Sequence, residues 1–530
     1  MNGRRVWLRI CLVCLGAPAM LLAAARDGGN RFVGYGGPGG SRVYADSRPP
    51  LKFDHTTGEG IRWEAPLPSW GHGSPIAVAQ RVFVMCETGP ENIFPMLVCL
   101  DAADGQILWK RQMDHLPAIT PDKAKQETLR RRLRAYFDRP SKEEQKALYR
   151  DMGLVRDEYH VRSRNYGCIG EAYGTPVSDG EFVYGATAWG AHACFDMDGK
   201  QRWLSYCPGS KNEWNNRAPS PILHGDLLIH SNVSTLRAFD RRTGRLLWKH
   251  DVGFTSIATP AVITVGGKDV LLTPSNYGDF NAAYLLPDGK PLAIQGWRDC
   301  GMQILVKHDE PDVVFFCGSG EHCTWTDKGV KGPPNPPAAV RFFLEGSTLK
   351  AKVLWHGGQL GDNKNRLGGN APWMVYHDGK FYHRGGTILD ALTGKTVAGA
   401  YDGRSRDTRA TPKTQHILAV AGGHVYGLHR GMDWPTTQRY QSLRDKPVAT
   451  MQVFTLDGKW VADNVLVRRE PTEEQKKMHR YCTGGERPWM DGRDGCFSYG
   501  WTFTFDSDSI YIRSMESLIC AGLPRAKRTH

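Results

Sequence analysis

The chain has 530 residues, of which 60 are Gly and 32 are Pro, and its formal net charge is +13. So many turn-forming residues exclude a fold dominated by long helices, while a hydrophobic content of 40% is enough for a substantial core. Much of the positive charge lies in two helix-like stretches, 123–134 and 476–480, where a solvated basic face is the simplest interpretation. No recognisable nucleic-acid-binding module accompanies them, so the sequence predicts no nucleic-acid partner.

Residues 1–25 have the features of an export signal. Arg4, Arg5 and Arg9 precede an apolar run that ends in Ala23-Ala24-Ala25, residues small enough for signal peptidase. A general secretory signal and a twin-arginine signal both fit this pattern. The run is too short for a stable membrane span, and no later segment approaches the roughly 20 apolar residues that spanning requires. The sequence therefore predicts a periplasmic or secreted protein without a transmembrane segment.

After an extended segment at 26–60, a repeat of about 40 residues occupies positions 61–524. Its first landmark is a small residue followed by Pro, ahead of an apolar run. These pairs are Ser74-Pro75, Thr175-Pro176, Ser220-Pro221, Thr259-Pro260, Ala371-Pro372 and Thr411-Pro412. Its second landmark is an Asp at a strand end, a Gly in a tight turn and a Trp on the next strand. The three best copies are Asp101…Gly105…Trp109, Asp196…Gly199…Trp203 and Asp240…Gly244…Trp248.

Each repeat is predicted to form four antiparallel strands. The glycine supplies the positive φ that a short hairpin needs, and a buried indole on the outermost strand can fill the gap to the next repeat. The pattern resembles the tryptophan-docking motif of the pyrroloquinoline quinone (PQQ)-like β-propellers, in the quinoprotein alcohol dehydrogenase-like superfamily. This resemblance implies an all-β, eight-bladed PQQ-like β-propeller with a small helical insertion. The predicted docking tryptophans are Trp63, Trp109, Trp203, Trp248, Trp355 and Trp460.

Seven blades are an alternative, because the unit at 302–356 lacks the leading proline. The last unit, 498–520, is one strand short, whereas residues 61–65 form a strand without a repeat of their own. Pairing the two would close the ring and leave no exposed sheet edge. The predicted departures from the repeat are a helical insertion at 111–165, in which Ser141 and Glu144 form a capping box, a loop insertion at 466–495 and a basic tail at 525–530.

Eleven of the 13 cysteines follow the signal, so at least one thiol stays unpaired if the others form disulfides. The best disulfide candidate joins Cys482 and Cys496, which flank a loop rich in Gly and Pro, and the alternative joins Cys317 and Cys323. Three further cysteines share one position in the repeat and are predicted to pack in the core. They are Cys99, Cys194 and Cys520.

Residues just ahead of each innermost strand are predicted to converge on the mouth of the central channel. They are unusually polar or aromatic, which suits a polar ligand such as a carbohydrate or a peptide segment. Solvation of a narrow, water-filled channel is the alternative explanation. The candidate ligand-binding residues are Trp70, His72, Glu171, Tyr173, Asn216, Arg217, Asn370, Trp373, Arg409 and Tyr499.

The resemblance leaves two functions open. The preferred one is an exported binding or scaffold protein for a protein or cell-surface ligand, such as a carbohydrate; the PQQ-like assembly factor of the bacterial outer membrane shares this fold. The alternative is an oxidoreductase acting on alcohols or sugars, which the resemblance would supply with PQQ, calcium and a catalytic aspartate.

The sequence has neither adjacent cysteines nor Cys-x-x-Cys-His, and it lacks the common hydrolase, phosphate-binding and zinc-protease signatures. It therefore favours the non-enzymatic function. It predicts no cofactor and no metal site, and it indicates neither catalytic residues nor an oligomeric state.

Overall fold

The computed structural model describes residues 32–88, 93–136, 141–151, 172, 174–208, 219–232, 235–252, 259–273, 282–296, 301–318, 338–356, 374–382, 388–398, 416–430, 448–467, 501–514 and 517–522. Strands dominate these ranges, and the helices within them are confined to one insertion. The predicted all-β propeller class is therefore confirmed. The predicted export signal, basic tail and disulfide candidate Cys482–Cys496 lie outside the described residues.

The N-terminal segment contributes four strands: β1 (Val33–Gly34), β2 (Gly37–Pro38), β3 (Val43–Tyr44) and β4 (Ile61–Pro66). The described strands that follow form, together with β4, eight four-stranded antiparallel units, numbered here as blades 1 to 8. Within each blade the strands are lettered A to D from the channel outward.

Blade 1 comprises β5 (Ile76–Val78), β6 (Arg81–Cys86), β7 (Met96–Asp101) and β8 (Ile107–Gln112). Blade 2 comprises β9 (Val177–Ser178), β10 (Phe182–Ala186), β11 (Ala191–Asp196) and β12 (Gln201–Tyr206). Blade 3 comprises β13 (Ile222–His224), β14 (Leu227–Asn232), β15 (Thr235–Asp240) and β16 (Leu246–Asp251). Blade 4 comprises β17 (Ala261–Val265), β18 (Lys268–Thr273), β19 (Ala282–Leu285) and β20 (Lys290–Gln295).

Blade 5 comprises β21 (Gly301–Val306), β22 (Val313–Gly318), β23 (Ala338–Glu345) and β24 (Thr348–His356). Blade 6 comprises β25 (Val375–His377), β26 (Lys380–Tyr382), β27 (Ile388–Asp390) and β28 (Thr396–Ala398). Blade 7 comprises β29 (His416–Ala421), β30 (His424–Arg430), β31 (Val448–Thr455) and β32 (Trp460–Val467). Blade 8 comprises β33 (Thr502–Phe505), β34 (Ser509–Arg513) and β35 (Ser517–Gly522), with β4 as its D strand.

Buried hydrophobic side chains between consecutive blades hold the ring together. Eight such clusters of described residues connect each blade to the next, including blade 8 to blade 1. One pair for each interface, in ring order from blades 1 and 2, is Phe83 with Phe195, Tyr184 with Phe239, Ile229 with Leu271, Val270 with Phe316, Phe315 with Phe381, Tyr382 with Val425, Tyr426 with Phe505, and Tyr511 with Val84. The core is therefore a circle of interfaces around the channel.

The C–D hairpin has the same construction in several blades. In blade 3 the carboxylate of Asp240 accepts the amide N–H groups of Arg242 and Thr243, and Gly244 closes the turn with a φ of +72°. In blade 6 Asp390 has the same role, and the Thr393 hydroxyl that donates to it lowers the pKa of Asp390. This side-chain turn is the physical reason for the Asp-x-x-Thr-Gly pattern in the sequence.

The indole of each docking tryptophan lies against the C–D hairpin of the following blade. A Cβ at the hairpin glycine of that blade would come within 2.5–2.6 Å of an indole ring carbon, so only glycine fits. The indole N–H donates to a carbonyl of the same hairpin, over 2.8–3.2 Å. These contacts are Trp63 with Gly105, Trp109 with Gly199, Trp203 with Gly244, Trp248 with Gly289 and Trp355 with Gly394.

Trp460 does not occupy this position, in contrast to its prediction as a docking tryptophan. Its side chain is 45% exposed, and its indole N–H donates to Asp463 on its own strand. The following blade is blade 8, whose C strand β35 and D strand β4 come from opposite ends of the chain. Blade 8 therefore has no C–D hairpin, and Trp460 has no hairpin glycine to pack against.

The two ends of the propeller meet in blade 8. Strand β4 pairs antiparallel with β35, so that Ala65 lies opposite Leu518 and Trp63 opposite Cys520. Blades 4 and 5 also share one eight-stranded sheet, because their outermost strands β20 and β24 pair in parallel. Nothing in the repeat pattern indicated this second connection.

The insertion after blade 1 contains α1 (Leu116–Ile119), α2 (Lys123–Tyr136) and α3 (Lys142–Asp151). The Ser141 hydroxyl accepts the amide N–H of Glu144, and the Glu144 carboxylate accepts the amide N–H of Ser141. Leucines of α2 and α3 pack on Phe94 and Trp189 of the propeller. None of the described helices has both the length and the apolar character of a membrane span. Of the loop insertion at 466–495, only its first two residues are described, and they end β32.

Candidate functional site at the channel mouth

Alternation of strand direction gives the ring two distinct faces. The A–B and C–D turns lie at one, called here the hairpin face, and the connections that precede the A strands lie at the other, the mouth face. Of the ten predicted ligand-binding residues, Trp70 and His72 are described, and they lie together on the mouth face between β4 and β5. The others lie outside the described residues: Glu171, Tyr173, Asn216, Arg217, Asn370, Trp373, Arg409 and Tyr499.

Trp70 and His72 pack edge to face, with ring centroids 5.5 Å apart. Only 2% of Trp70 and 4% of His72 is exposed, so both rings are buried within the loop. The glycines beside His72 are required by crowding. A Cβ at Gly71 would lie 2.8 Å from the Met85 carbonyl oxygen, and one at Gly73 would lie 2.5 Å from that of Gly174.

Two fully buried residues fix this loop, Arg513 through its side chain and Glu87 through its backbone. Arg513, on β34 of blade 8, donates to the Gly73 carbonyl over 2.8 Å. Glu87, at the end of β6, donates its backbone N–H to the Trp70 carbonyl over 2.8 Å, and its carboxylate accepts the amide N–H of Ala172. The loop that carries His72 is therefore connected to blades 8 and 1 and to the segment that leads into blade 2.

Sequence patterns do not single out Glu87 and Arg513 as site residues, although a signal exists. Glu87 directly follows the strand Arg81–Cys86, and Arg513 is the last residue of the strand Ser509–Arg513, so each is a charged residue after a mainly apolar run. Such a residue is rarely buried without partners. The neighbouring thiol of Cys86 is 3.8 Å from the Arg513 guanidinium, and burial raises the pKa of Cys86.

The small residues that precede proline form a belt of hydrogen bonds around part of the channel. The amide N–H of Ser74 donates to the Thr175 hydroxyl over 3.1 Å, that of Thr175 to the Ser220 hydroxyl over 2.9 Å, and that of Ser220 to the Thr259 hydroxyl over 3.1 Å. Each bond joins one blade to the next. The belt gives a physical reason for hydroxyl residues at this repeat position, where a small side chain alone was expected.

A buried histidine pair lies between blades 2 and 3. His230 Nε2 is 2.9 Å from the Pro219 carbonyl, which can only accept, so Nε2 carries the proton and Nδ1 accepts from His192 Nε2 over 2.9 Å. Burial lowers the pKa of His230 to about 3. The pKa of His192 is lowered well below its usual value, mainly by burial and also by the neighbouring side chains of His230 and Arg237. Both rings are therefore neutral near pH 7.

A third buried histidine, His115, lies at the junction of the helical insertion and the propeller. Its ring stacks on Tyr206 at 4.4 Å, and burial lowers the pKa of His115 to about 4. Burial also raises the pKa of Cys99 and Cys194 to about 12, as expected for thiols packed in the core. None of these groups has the tuned pKa of an acid or base that works near neutral pH.

A PQQ and calcium site would need several oxygen ligands at the mouth. Among the described residues, no group of three or more His, Cys, Asp or Glu side chains could hold a metal ion. The buried carboxylate of the described mouth loop region, Glu87, already accepts the N–H of Ala172.

Comparison with known proteins returned one family model, described as outer membrane protein assembly factor BamB, which matches residues 2–250. No curated protein matches the sequence. Many solved structures match the chain, among them the following three. The computationally designed Ika8 protein has 9% identity and a TM-score of 0.48, covering 87% of this chain and 99% of its own. BamB from Moraxella catarrhalis has 9% identity and a TM-score of 0.43, and the match covers 88% of this chain and 98% of BamB. Quinohemoprotein alcohol dehydrogenase from Comamonas testosteroni has 11% identity and a TM-score of 0.42, and the match covers 92% of this chain and 80% of the dehydrogenase.

Proposed function

Because the chain folds as a β-propeller and its residues 2–250 match the BamB family model, we propose that it is an exported binding or scaffold protein of the PQQ-like kind, whose mouth face takes a protein or cell-surface ligand, such as a carbohydrate. The observation that supports binding over chemistry is that the two buried charged side chains described at the mouth are used to hold backbone groups: Arg513 holds the Gly73 carbonyl, and the Glu87 carboxylate holds the N–H of Ala172. Glu87 and Arg513 hold the backbone of the loop that carries Trp70 and His72. A loop held rigidly on a fixed scaffold suits recognition, because little conformational entropy is lost on binding.

The helical insertion extends the same face. It follows β8 and precedes β9, so it belongs to the connections of the mouth face. Helix α2 exposes Lys123, Lys125, Arg131 and Arg134 to solvent, with Glu127 as the acidic side chain among them. A ligand with an acidic surface would be attracted to this side of the mouth.

The mouth is tested by substitution once a ligand has been isolated with the tagged, exported chain. The double variant His72→Ala/Arg409→Ala should bind that ligand at least tenfold more weakly in a titration. Trp460→Ala, on the outer rim, is the matched control and should bind as the unsubstituted chain does. An unchanged affinity in the double variant would exclude the mouth as the binding site.

We further propose that the chain works without PQQ. Incubation with micromolar PQQ and calcium, followed by gel filtration, should leave no quinone absorbance with the protein and no change in its melting temperature. Retained absorbance with a raised melting temperature would instead support the alternative, an oxidoreductase acting on alcohols or sugars.

Export is tested at the N-terminus. We expect the mature chain to begin near Arg26, because the small residues Ala23-Ala24-Ala25 precede it. N-terminal sequencing of protein recovered from the periplasm or medium measures this directly. A chain that keeps Met1 and stays in the cytoplasm would contradict the proposal.

A further inference from the structure

The N-terminal segment crosses the channel at the hairpin face, opposite the mouth. Strand β1 pairs with β9, the innermost strand of blade 2, with Val33 opposite Ser178. Strand β3 pairs in parallel with β29, the innermost strand of blade 7, with Val43 opposite Val420. Blades 1 and 8 lie between blades 2 and 7 in the ring, so the short stretch from β1 to β3 spans the channel. Residues 32–48 are called the strap below.

Side chains of the strap fill places between blades on both sides of the channel. Phe32 packs in the cluster of blades 2 and 3, and Val33 in that of blades 1 and 2. On the far side, Val43 joins the cluster of blades 6 and 7, and Tyr44 that of blades 7 and 8. The strap is thus bound by main-chain pairing, and consecutive side chains anchor it on the two sides of the innermost strand; main-chain pairing at a sheet edge is one way in which proteins recognise extended peptides.

Close packing fixes the two halves of the strap to each other and to the propeller. A Cβ at Gly34 would lie 2.9 Å from Val177 Cγ2, so glycine lets β1 approach β9. Gly37, with a φ of +75°, leaves no room for a side chain beside the Tyr44 ring. Tyr44 Oη is 3.1 Å from the Thr504 hydroxyl of blade 8. Two glycines and one aromatic residue therefore define the sequence that this place accepts.

The strap continues into a second set of contacts that would persist if it left the channel. Asn464 on β32 accepts the amide N–H of Phe53 over 2.7 Å and donates to the Leu51 carbonyl over 3.1 Å. The backbone then reaches β4, which is paired in blade 8. Displacement of the strap would therefore leave the rest of the segment attached.

From these contacts we propose that the channel-facing edges of β9 and β29 form a second binding site, specific for an extended peptide, which the chain fills with its own strap. A peptide in this site would need a glycine at the position of Gly34, which packs against Val177. It would also need a β-branched residue and an aromatic residue, in the places of Val43 and Tyr44, to pair with β29, and a second glycine in the place of Gly37 beside that aromatic ring. This inference concerns the opposite end of the channel and is independent of the proposed function.

The test weakens the strap in the full chain and supplies it again as a peptide. In Gly37→Ala the added methyl group meets the Tyr44 ring, and in Gly34→Ala it meets Val177. Gly58→Ala is the matched control, because Gly58 also has a positive φ, +82°, but nothing within 4 Å of its Cβ position. The probe is a fluorescent synthetic peptide of residues 32–48, with a scrambled peptide as its control, and the readout is fluorescence anisotropy.

We expect the peptide to bind Gly37→Ala or Gly34→Ala at least tenfold more tightly than it binds the unsubstituted chain or Gly58→Ala. Hydrogen exchange should quicken in residues 416–421, where the Val420 amide donates to the Arg42 carbonyl, and slow again with peptide. Exchange in β17, which has no strap partner, should not change. If exchange in 416–421 quickens in a folded variant but the peptide does not bind, the edges are not a peptide site. Unchanged exchange in both variants would overturn the strap's role in covering them.

Discussion

At the scale of single residues, the mouth face depends on polar groups that are satisfied by partners far away in sequence. The belt of hydroxyl groups illustrates this, since Thr175 accepts the amide N–H of Ser74 and donates its own to Ser220. Each bond links a blade to its neighbour at the point where the chain enters an innermost strand. Removing one acceptor leaves a buried donor without a partner, which costs more than the lost bond itself.

Thr175→Val tests the belt. The valine keeps the shape of threonine but cannot accept the N–H of Ser74, so we expect a loss of about 1–3 kcal/mol in the free energy of unfolding. Thr175→Ser keeps the hydroxyl and should cost less than about half of that. Urea unfolding, followed by tryptophan fluorescence, measures both variants. Equal midpoints for the valine and serine variants would show that the hydroxyl bond contributes nothing.

Buried neutral histidines predict a pH dependence of stability. The folded-state pKa values of His230 and His115 are lowered to about 3 and about 4, so the unfolded chain binds more protons than the folded chain below about pH 6.5. Stability should therefore fall as the pH drops from 7.5 to 5.5, by about 1.4 kcal/mol at pH 5.5 for each buried histidine.

Melting temperatures across this range measure the effect, and the double variant His192→Gln/His230→Gln should show a smaller slope. The same slope in the double variant would mean that the pair does not titrate on unfolding. Carboxylates titrate mainly below this window, so they do not obscure the comparison.

At the scale of the element, the unit of construction is a C–D hairpin with the tryptophan of the preceding blade packed on its glycine. Gly199 of blade 2 receives Trp109 of blade 1, and a Cβ at this glycine would lie 2.6 Å from the indole. The interaction is local to two neighbouring blades and repeats around the ring. For that reason the blade pattern is readable from sequence, because Asp, Gly and Trp are within nine residues of each other.

Gly199→Ala should destabilise the protein more than Gly180→Ala in the same blade. Gly199 has a φ of +80° and Gly180 a φ of +91°, and an alanine in such a conformation costs about 1 kcal/mol at either position. The two sites differ in space, because Gly180 has nothing within 4 Å of its Cβ position. Overpacking against Trp109 should add about 1–3 kcal/mol to the cost at Gly199. Thermal unfolding compares the two variants, and equal melting temperatures would contradict the docking of Trp109 on this glycine.

The same local pattern explains where sequence reasoning fails. Asp457-Gly458-Lys459-Trp460 matches the repeat, yet docking requires a glycine hairpin in the following blade, which blade 8 lacks. The strap is equally hidden, because β1, β2 and β3 have two residues each and show no alternation of polar and apolar residues. The roles of Glu87 and Arg513 cannot be predicted from local sequence for a related reason. Glu87 contacts Trp70 on the mouth loop, and Arg513 contacts Gly73, which is more than 400 positions away in the sequence.

At the scale of the whole molecule, the chain ends do two different tasks. Strand β4 completes blade 8 by pairing with β35, and the strap ahead of it crosses the channel between blades 2 and 7. The ring therefore has no free edge at its closure, one face carries hairpins and the strap, and the other carries the mouth and the helical insertion. Everything proposed for the mouth depends on this closed ring, since it alone brings Arg513 of blade 8 to the loop that holds His72.

Closure is tested most directly with an engineered disulfide between Ala65→Cys and Leu518→Cys, which lie opposite each other on β4 and β35. Opposed residues of antiparallel strands have Cβ atoms close enough for such a bond. After mild oxidation of the folded protein, we expect proteolysis to yield a pair of peptides that are linked through positions 65 and 518 and released by reduction. A control pair, Ala65→Cys with Val340→Cys of blade 5, should yield no such link. Absence of the 65–518 link in folded protein would contradict the closed ring.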